Sequence, residues 1–110
     1  MTTVIAKFQI EGFHNYPDAP NEVAFLSHRH RHTFNISVGY IVSHANRERE
    51  IFICRDELES YLIEAYGSPC RFGAMSCEMI AEEVLEFASE DGAVWCEVWE
   101  EETGGARVEL

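Results

Sequence analysis

The sequence contains few basic residues, and Lys7 is its only lysine. Lysine and arginine together number 8, against 20 acidic residues, so the formal net charge is −12 at pH 7. Proteins that bind nucleic acids need clustered basic side chains to displace counterions from the phosphates. Anionic membrane surfaces attract the same kind of cluster. The composition therefore excludes nucleic acid as a partner and disfavours a membrane surface.

Long apolar runs are also missing. No segment approaches the roughly 18 consecutive apolar residues that are needed to span a bilayer. Met1 to Thr3 lead directly into an alternating pattern, without the basic and apolar segments of a secretory signal. We therefore expect a cytoplasmic protein with no membrane-spanning segment.

Paired cysteines are the third feature that the sequence lacks. The cysteines at positions 54, 70, 77 and 96 form no C-x-x-C pair and have no zinc-ribbon spacing. In a cytoplasmic chain we expect them to be reduced thiols that are mostly buried. Cysteine is therefore not predicted to hold a metal.

The length and the apolar content indicate a single domain that spans residues 1–110. The chain has 110 residues, of which 46% are apolar, so it is too short for two cores and too apolar for disorder. Its periodicity predicts the element order ββααββ. The predicted strands are Val4–His14, His32–Val42, Val94–Val98 and Ala106–Leu110, and the predicted helices are Cys54–Ala65 and a segment capped by Ser76 that runs to Ala88.

This order predicts an α+β fold, in which a four-stranded antiparallel sheet carries both helices on one face. The other face of the sheet also carries large apolar side chains, namely Ile5, Phe13, Ile41, Trp95 and Trp99. A partly apolar face and two free sheet edges favour association with further subunits. We therefore expect a homo-oligomer.

Histidines form the most distinctive pattern in the chain. His30 and His32 point to the same side of a strand, and His14 lies at the end of the neighbouring strand, so a hairpin brings the three together. Three imidazoles with an open position are typical of a catalytic zinc site. The alternative is a polar strand entry with His14 as a lone core histidine. His28 and His44 are not predicted ligands.

Several short motifs carry a resemblance that covers nearly the whole chain. They are Phe8-x-x-Glu11-x-x-His14, His30-x-His32-x-Phe34, Ser76-Cys77-Glu78 at the start of the second helix, and Val98-x-Glu100. Together with the order ββααββ, they resemble the 6-pyruvoyl-tetrahydropterin synthase and 6-carboxy-tetrahydropterin synthase family. The resemblance implies the tunnelling fold, in which subunits associate as trimers or hexamers whose sheets close into a barrel.

The resemblance also implies roles for individual residues. It implies that His14, His30 and His32 bind zinc, and that Glu100 anchors the ring of a pterin. A carboxylate can accept two parallel hydrogen bonds from the amino and ring N–H groups of such a ring. Glu100 continues the phase of the third strand and should point to the covered face, although it could also be the first of three solvated acids.

Three further residues are candidates for ligand binding. Ser76 and Cys77 lie in the motif that opens the second helix. Arg31, together with Arg29, could contact a phosphate or a carboxylate of the ligand. The ligand would be a pterin or a related guanine-derived compound.

The sequence departs from the family at the residues that move protons. The family has a catalytic cysteine where this chain has Leu26, and a glycine where it has Arg31. It also has an Asp/His pair between the helices, whereas the segment 67–75 contains neither residue. Cys70 and Cys77 are the remaining candidates for a catalytic thiol, and packing is the alternative explanation for both.

Two functions are therefore predicted as alternatives. The first is a zinc-dependent lyase or synthase that acts on the side chain of a pterin, with an unidentified base. The second is a binding protein that keeps the zinc and the ring pocket without catalysing a reaction. The substitution by Leu26 and the missing Asp/His pair favour the second.

Overall fold

The alternating pattern of the first 42 residues produces a long antiparallel hairpin. The computed structural model describes residues 1–110 and begins with β1 (Thr2–His14), which pairs with β2 (His30–Val42). The side chains of β1 alternate between the core and the opposite face, as the pattern predicts. The register sets His14 opposite His30 and Gly12 opposite His32. The predicted convergence of the two strand ends is confirmed.

The remaining elements complete an α+β fold with a five-stranded sheet and three helices. A short 3₁₀ helix (Asn21–Ser27) lies between β1 and β2. The other elements, in chain order, are α1 (Ile51–Tyr66), β3 (Cys70–Gly73), α2 (Cys77–Ser89), β4 (Ala93–Glu100) and β5 (Gly104–Glu109).

The prediction of four antiparallel strands is wrong, because the segment between the helices contains a fifth strand. The strand order is β3-β1-β2-β4-β5, and β3 runs parallel to β1 whereas all other pairs are antiparallel. Only four residues form β3, which is too short for a detectable period. It forms because β1 offers a free edge, where Cys70 pairs with Gly12.

Both helices cover one face of the sheet and share its hydrophobic core. Phe34, Ile36 and Val38 of β2 are fully buried among the apolar side chains of the helices, such as Leu62 and Val84. Helix α2 begins where the sequence predicts it, since the Ser76 side chain accepts a hydrogen bond from the Met79 N–H at 3.2 Å. None of the helices combines the length and apolar character that crossing a membrane would require.

The face of the sheet opposite the helices retains exposed apolar side chains. Ile5, Ile41 and Trp99 are 51%, 43% and 37% exposed, respectively. Between them lie polar residues, among which Asn35 and Ser37 are buried. The predicted association through this face stays a prediction.

Candidate metal centre

Three histidines converge at the end of the sheet where β1 finishes and β2 starts. The ring centroids of His14 and His30 are 4.6 Å apart, those of His14 and His32 are 5.2 Å apart, and those of His30 and His32 are 4.9 Å apart. The hairpin register produces this arrangement, since residues two apart on β2 share a face and His14 lies directly across. The three predicted ligands therefore occupy one site.

Each histidine donates a hydrogen bond from its Nδ1 atom. The partner is in each case a carbonyl or carboxylate oxygen, which accepts hydrogen bonds and cannot donate them. His14 Nδ1 donates to the Met75 carbonyl and His30 Nδ1 donates to the His28 carbonyl, both at 2.9 Å. His32 Nδ1 donates to the Glu101 carboxylate at 2.8 Å. Because Nδ1 carries the proton in each neutral ring, Nε2 is unprotonated and offers a lone pair. Such partners orient the histidine ligands of metal sites.

The Nε2 atoms lie among groups that cannot satisfy them. Nε2 of His14 and Nε2 of His32 are buried and have no hydrogen-bond partner. Glu100 Oε2 lies 2.8 Å from His14 Nε2 and 3.6 Å from His32 Nε2. The shorter distance is that of a hydrogen bond, but in this tautomer both atoms contribute a lone pair. The contact therefore requires a cation or a proton between them.

Burial disfavours a proton as that cation. It lowers the pKa of His14, against the opposing effects of the hydrogen bond to Met75 and the charge of Glu100. Potential ligand atoms of His14, His30, His32 and Glu100 all lie within 4.8 Å of one another. These residues form a cluster that could bind a metal ion.

Aromatic rings support the histidines from the core side. The Phe34 ring meets those of His14 and His32 edge to face, with centroids 5.2 and 5.6 Å away. Phe72 of β3 packs against Phe34 at 5.2 Å. Phe72 also lies close over Gly12, where an added Cβ would be 2.8 Å from its ring. A glycine at this position thus lets β3 pack beside the site.

A cavity of about 580 Å³ opens next to the cluster and is large enough for a bicyclic ring. His14, His30 and Glu100 line it together with residues from the start of α2. The predicted site residues Ser76 and Cys77 also line it, and so does Leu26, which stands where the resembled family has its catalytic cysteine. The Ser76 hydroxyl remains engaged in capping α2.

Two of the predicted site residues lie elsewhere. Arg31 lies between His30 and His32 on β2, so its side chain points to the opposite face, where it binds Glu11 at 2.9 Å. Cys70 is fully buried in β3, and burial raises the pKa of its thiol to about 11. The structure does not bring either residue to the cavity.

Cys77 lines the cavity but is not poised as a thiolate. Burial, together with the neighbouring Glu100 carboxylate, raises the pKa of the Cys77 thiol to about 12. This effect opposes the stabilisation of a thiolate that its position at a helix N-terminus predicts. A thiol with this pKa is almost entirely protonated at neutral pH.

Two groups of the site were not predicted from the sequence. They are the Met75 carbonyl, which orients His14, and the Glu101 carboxylate, which orients His32. The position of Met75 depends on the pairing of β3 with β1, which the sequence does not reveal. Glu101 could have been suspected from its position next to Glu100, but a strand pattern would place it on the other face.

Comparison with known proteins adds information on the fold. Neither a protein-family model nor a curated protein sequence matches this chain. Among solved structures, an uncharacterized protein of Wolinella succinogenes, WS1659, is similar with a TM-score of 0.66 and 11% sequence identity. The similarity covers 98% of this chain and 97% of that chain. At this identity the likeness shows a shared fold and nothing about function.

Proposed function

We propose that the protein binds zinc through His14, His30 and His32. The observation that carries this proposal is the convergence of Nε2 lone pairs that are buried and have no hydrogen-bond partner. Imidazole nitrogen and carboxylate oxygen both suit zinc, which commonly has three protein ligands and one open position in catalytic sites. Bound zinc would act as a Lewis acid toward an oxygen of the ligand.

The adjoining cavity is proposed to hold a pterin or a related guanine-derived ring. Its volume of about 580 Å³ suits such a ring, and Glu100 lines it beside the histidines. The Glu100 side chain is about one-third exposed, so it can reach both the metal cluster and a ligand. Its carboxylate would accept hydrogen bonds from the amino and ring N–H groups of that ring. The resemblance to the tetrahydropterin synthase family supports the choice of ligand.

The proposed role is binding without turnover of the ring side chain. Proton transfer beside a zinc-bound ligand needs a base within hydrogen-bond reach, with a pKa near the working pH. Leu26 cannot titrate, and the pKa of the Cys77 thiol is about 12. A second candidate function, a zinc-dependent lyase, is favoured only by the position of Cys77 in the cavity. Rings of subunits, as trimers or hexamers, are proposed for either function.

The test combines metal analysis with ligand titration. Purified protein should contain about one zinc per chain, and the zinc-loaded form should bind neopterin or guanosine in calorimetric titration. Glu100→Gln should weaken ring binding at least tenfold while zinc remains bound. Zinc-free protein from a zinc-supplemented culture that also takes up none when titrated would contradict the metal assignment. Unchanged ring affinity in the variant would contradict the anchor.

A turnover assay separates the two candidate functions. We expect no release of triphosphate from dihydroneopterin triphosphate by the zinc-loaded protein. Steady turnover by wild-type protein would establish the lyase instead. Cys77→Ala would then show whether this thiol takes part, because no other thiol lines the cavity.

A further inference from the structure

Glu101 has a backbone conformation that is unusual for its residue type. Its φ angle is 51°, in the left-handed region that favours glycine and, to a lesser degree, asparagine. It follows Glu100 directly, at the point where β4 turns toward β5. A glutamate in this conformation is disfavoured unless its side chain or backbone makes compensating contacts.

The Glu101 side chain supplies those contacts at the metal cluster. Its Oε2 and Oε1 atoms lie 2.8 and 3.1 Å from His32 Nδ1, so both oxygens face the imidazole N–H. Oε1 also accepts a hydrogen bond from the Thr33 N–H at 3.1 Å. In a regular ladder this N–H would bond the carbonyl of Glu101, which lies opposite, so the side chain takes the place of the backbone acceptor.

Two hydrogen bonds also hold the backbone of Glu101 in place. Its N–H donates to the Thr33 carbonyl at 2.9 Å, and its own carbonyl accepts from Asn35 Nδ2 at 2.6 Å. Asn35 is buried on the opposite face of the sheet, and its Oδ1 accepts from Gln9 Nε2 at 3.0 Å. The left-handed residue is therefore held firmly, with its carboxylate directed at one imidazole.

We propose that Glu101 is a positioning residue of the metal centre, which acts through His32. This inference rests on the proposed zinc site. Among the clustered histidines, His32 alone has a charged partner at Nδ1, since His14 and His30 donate to backbone carbonyls. A carboxylate at this position fixes the tautomer and makes Nε2 a stronger donor to a metal ion. Glu101 also adds a second negative charge beside Glu100, which favours a divalent cation over a neutral ligand.

The alternative is that Glu101 serves only the turn between β4 and β5. That role would make the left-handed glutamate important for folding and irrelevant for metal affinity. The turn role predicts unchanged zinc affinity when glycine replaces Glu101, and the positioning role predicts a loss, because glycine adopts the left-handed conformation freely but lacks the carboxylate that faces His32. Glu102 provides a matched control, since it is exposed, carries the same charge and lies one residue away.

The experiment measures zinc affinity by competition with a chromophoric chelator for wild-type protein, Glu101→Gln, Glu101→Gly and Glu102→Gln. We expect about a 10- to 100-fold loss of affinity in both Glu101 variants and less than about a twofold change in Glu102→Gln. The visible absorption of bound Co²⁺ should shift in Glu101→Gln and remain unchanged in Glu102→Gln. Melting temperatures of the metal-free proteins show that each variant remains folded.

The possible outcomes separate this inference from the zinc proposal. If wild-type protein binds no zinc, both are overturned. If wild-type protein binds zinc and the Glu101 variants bind it as tightly as Glu102→Gln does, only the positioning role is overturned. A lower melting temperature of metal-free Glu101→Gly with unchanged zinc affinity in Glu101→Gln would assign Glu101 to the turn.

Discussion

Glu97 and Glu100 lie on the same strand and on opposite faces of the sheet, and their surroundings differ in kind. Glu97 accepts hydrogen bonds from Trp99 Nε1 at 3.0 Å and from Arg107 Nη1 at 2.7 Å. These bonds lower the pKa of the Glu97 carboxyl. Glu100 instead faces Nε2 atoms of His14 and His32, whose protons are on the other ring nitrogen.

The difference shows how a site can be distinguished from ordinary surface chemistry. The charge of Glu97 is matched by Arg107 within the same chain, so nothing further is needed there. The charge of Glu100 lies beside lone pairs in a partly buried position, which raises its energy unless a cation is present. A carboxylate whose neighbours are acceptors is therefore suited to a cation, whereas a carboxylate beside an arginine already has one.

The largest expected effect is on metal affinity. His14→Ala removes a proposed ligand and should weaken zinc binding more than about 100-fold, beyond the range seen for residues that only orient ligands. Arg107→Ala removes the partner of Glu97 and should change zinc affinity less than about twofold. Competition with a chromophoric chelator measures both. Equal affinities in the two variants would remove the distinction between the two carboxylates.

The second prediction concerns thermal stability in the presence of metal. Zinc at about 100 times its dissociation constant should stabilise the folded state by about 2.7 kcal/mol. For a domain of this size, that corresponds to a rise in melting temperature of about 10 °C. Differential scanning fluorimetry at a fixed protein concentration measures the shift. His14→Ala should show no shift, and neither should wild-type protein with Mg²⁺, which prefers oxygen ligands.

The third prediction compares the two carboxylates directly in the metal-free protein. Glu100→Gln should raise the free energy of unfolding by about 1 kcal/mol, because the new amide can donate to His14 Nε2 and removes a poorly compensated charge. Glu97→Gln should lower it by about 0.5–1 kcal/mol, because the ion pair with Arg107 is lost. Urea unfolding at pH 8 with a chelator measures both. A loss of stability in Glu100→Gln would show that the carboxylate is already satisfied without a metal.

Most of the fold could be predicted from the periodicity of the sequence. Strand β3 could not, and the reason is physical. Segments with many residues in phase, such as β1 and α2, reveal their buried face in the sequence. Strand β3 has four residues, so its period is not recognisable. Its formation depends on the free edge of β1, and this is a tertiary effect that local sequence does not encode.

The candidate site, like the fold, could be predicted only in part from the sequence. The convergence of His30 and His32 follows from their spacing on a strand, and the same alternation places Arg31 on the opposite face. Strict use of this rule would therefore have removed Arg31 from the predicted site. The partners of the Nδ1 atoms could not be predicted, because Met75 is positioned by β3 and Glu101 by a left-handed residue.

The smallest expected effect is on the pH dependence of stability. It concerns Glu97, the carboxylate whose charge is matched by Arg107. The pKa of Glu97 in the folded protein lies below its ordinary value of 4.5, mainly because of the hydrogen bonds from Trp99 and Arg107. A lowered folded-state pKa contributes stability that is fully present above the ordinary value. That contribution is lost as the pH falls through the lowered pKa.

Wild-type protein should therefore lose more stability than Glu97→Gln between about pH 6 and pH 3.5, with a difference below about 1 kcal/mol because the pair is partly exposed. Urea unfolding at the two pH values measures the difference. Glu102→Gln is the control, since it removes the same charge from an exposed position and should behave as wild type. Other carboxylates with lowered pKa values, such as Glu11, titrate equally in all three proteins and cancel. Identical losses in wild type and Glu97→Gln would show that Arg107 does not stabilise the ionised Glu97 in solution.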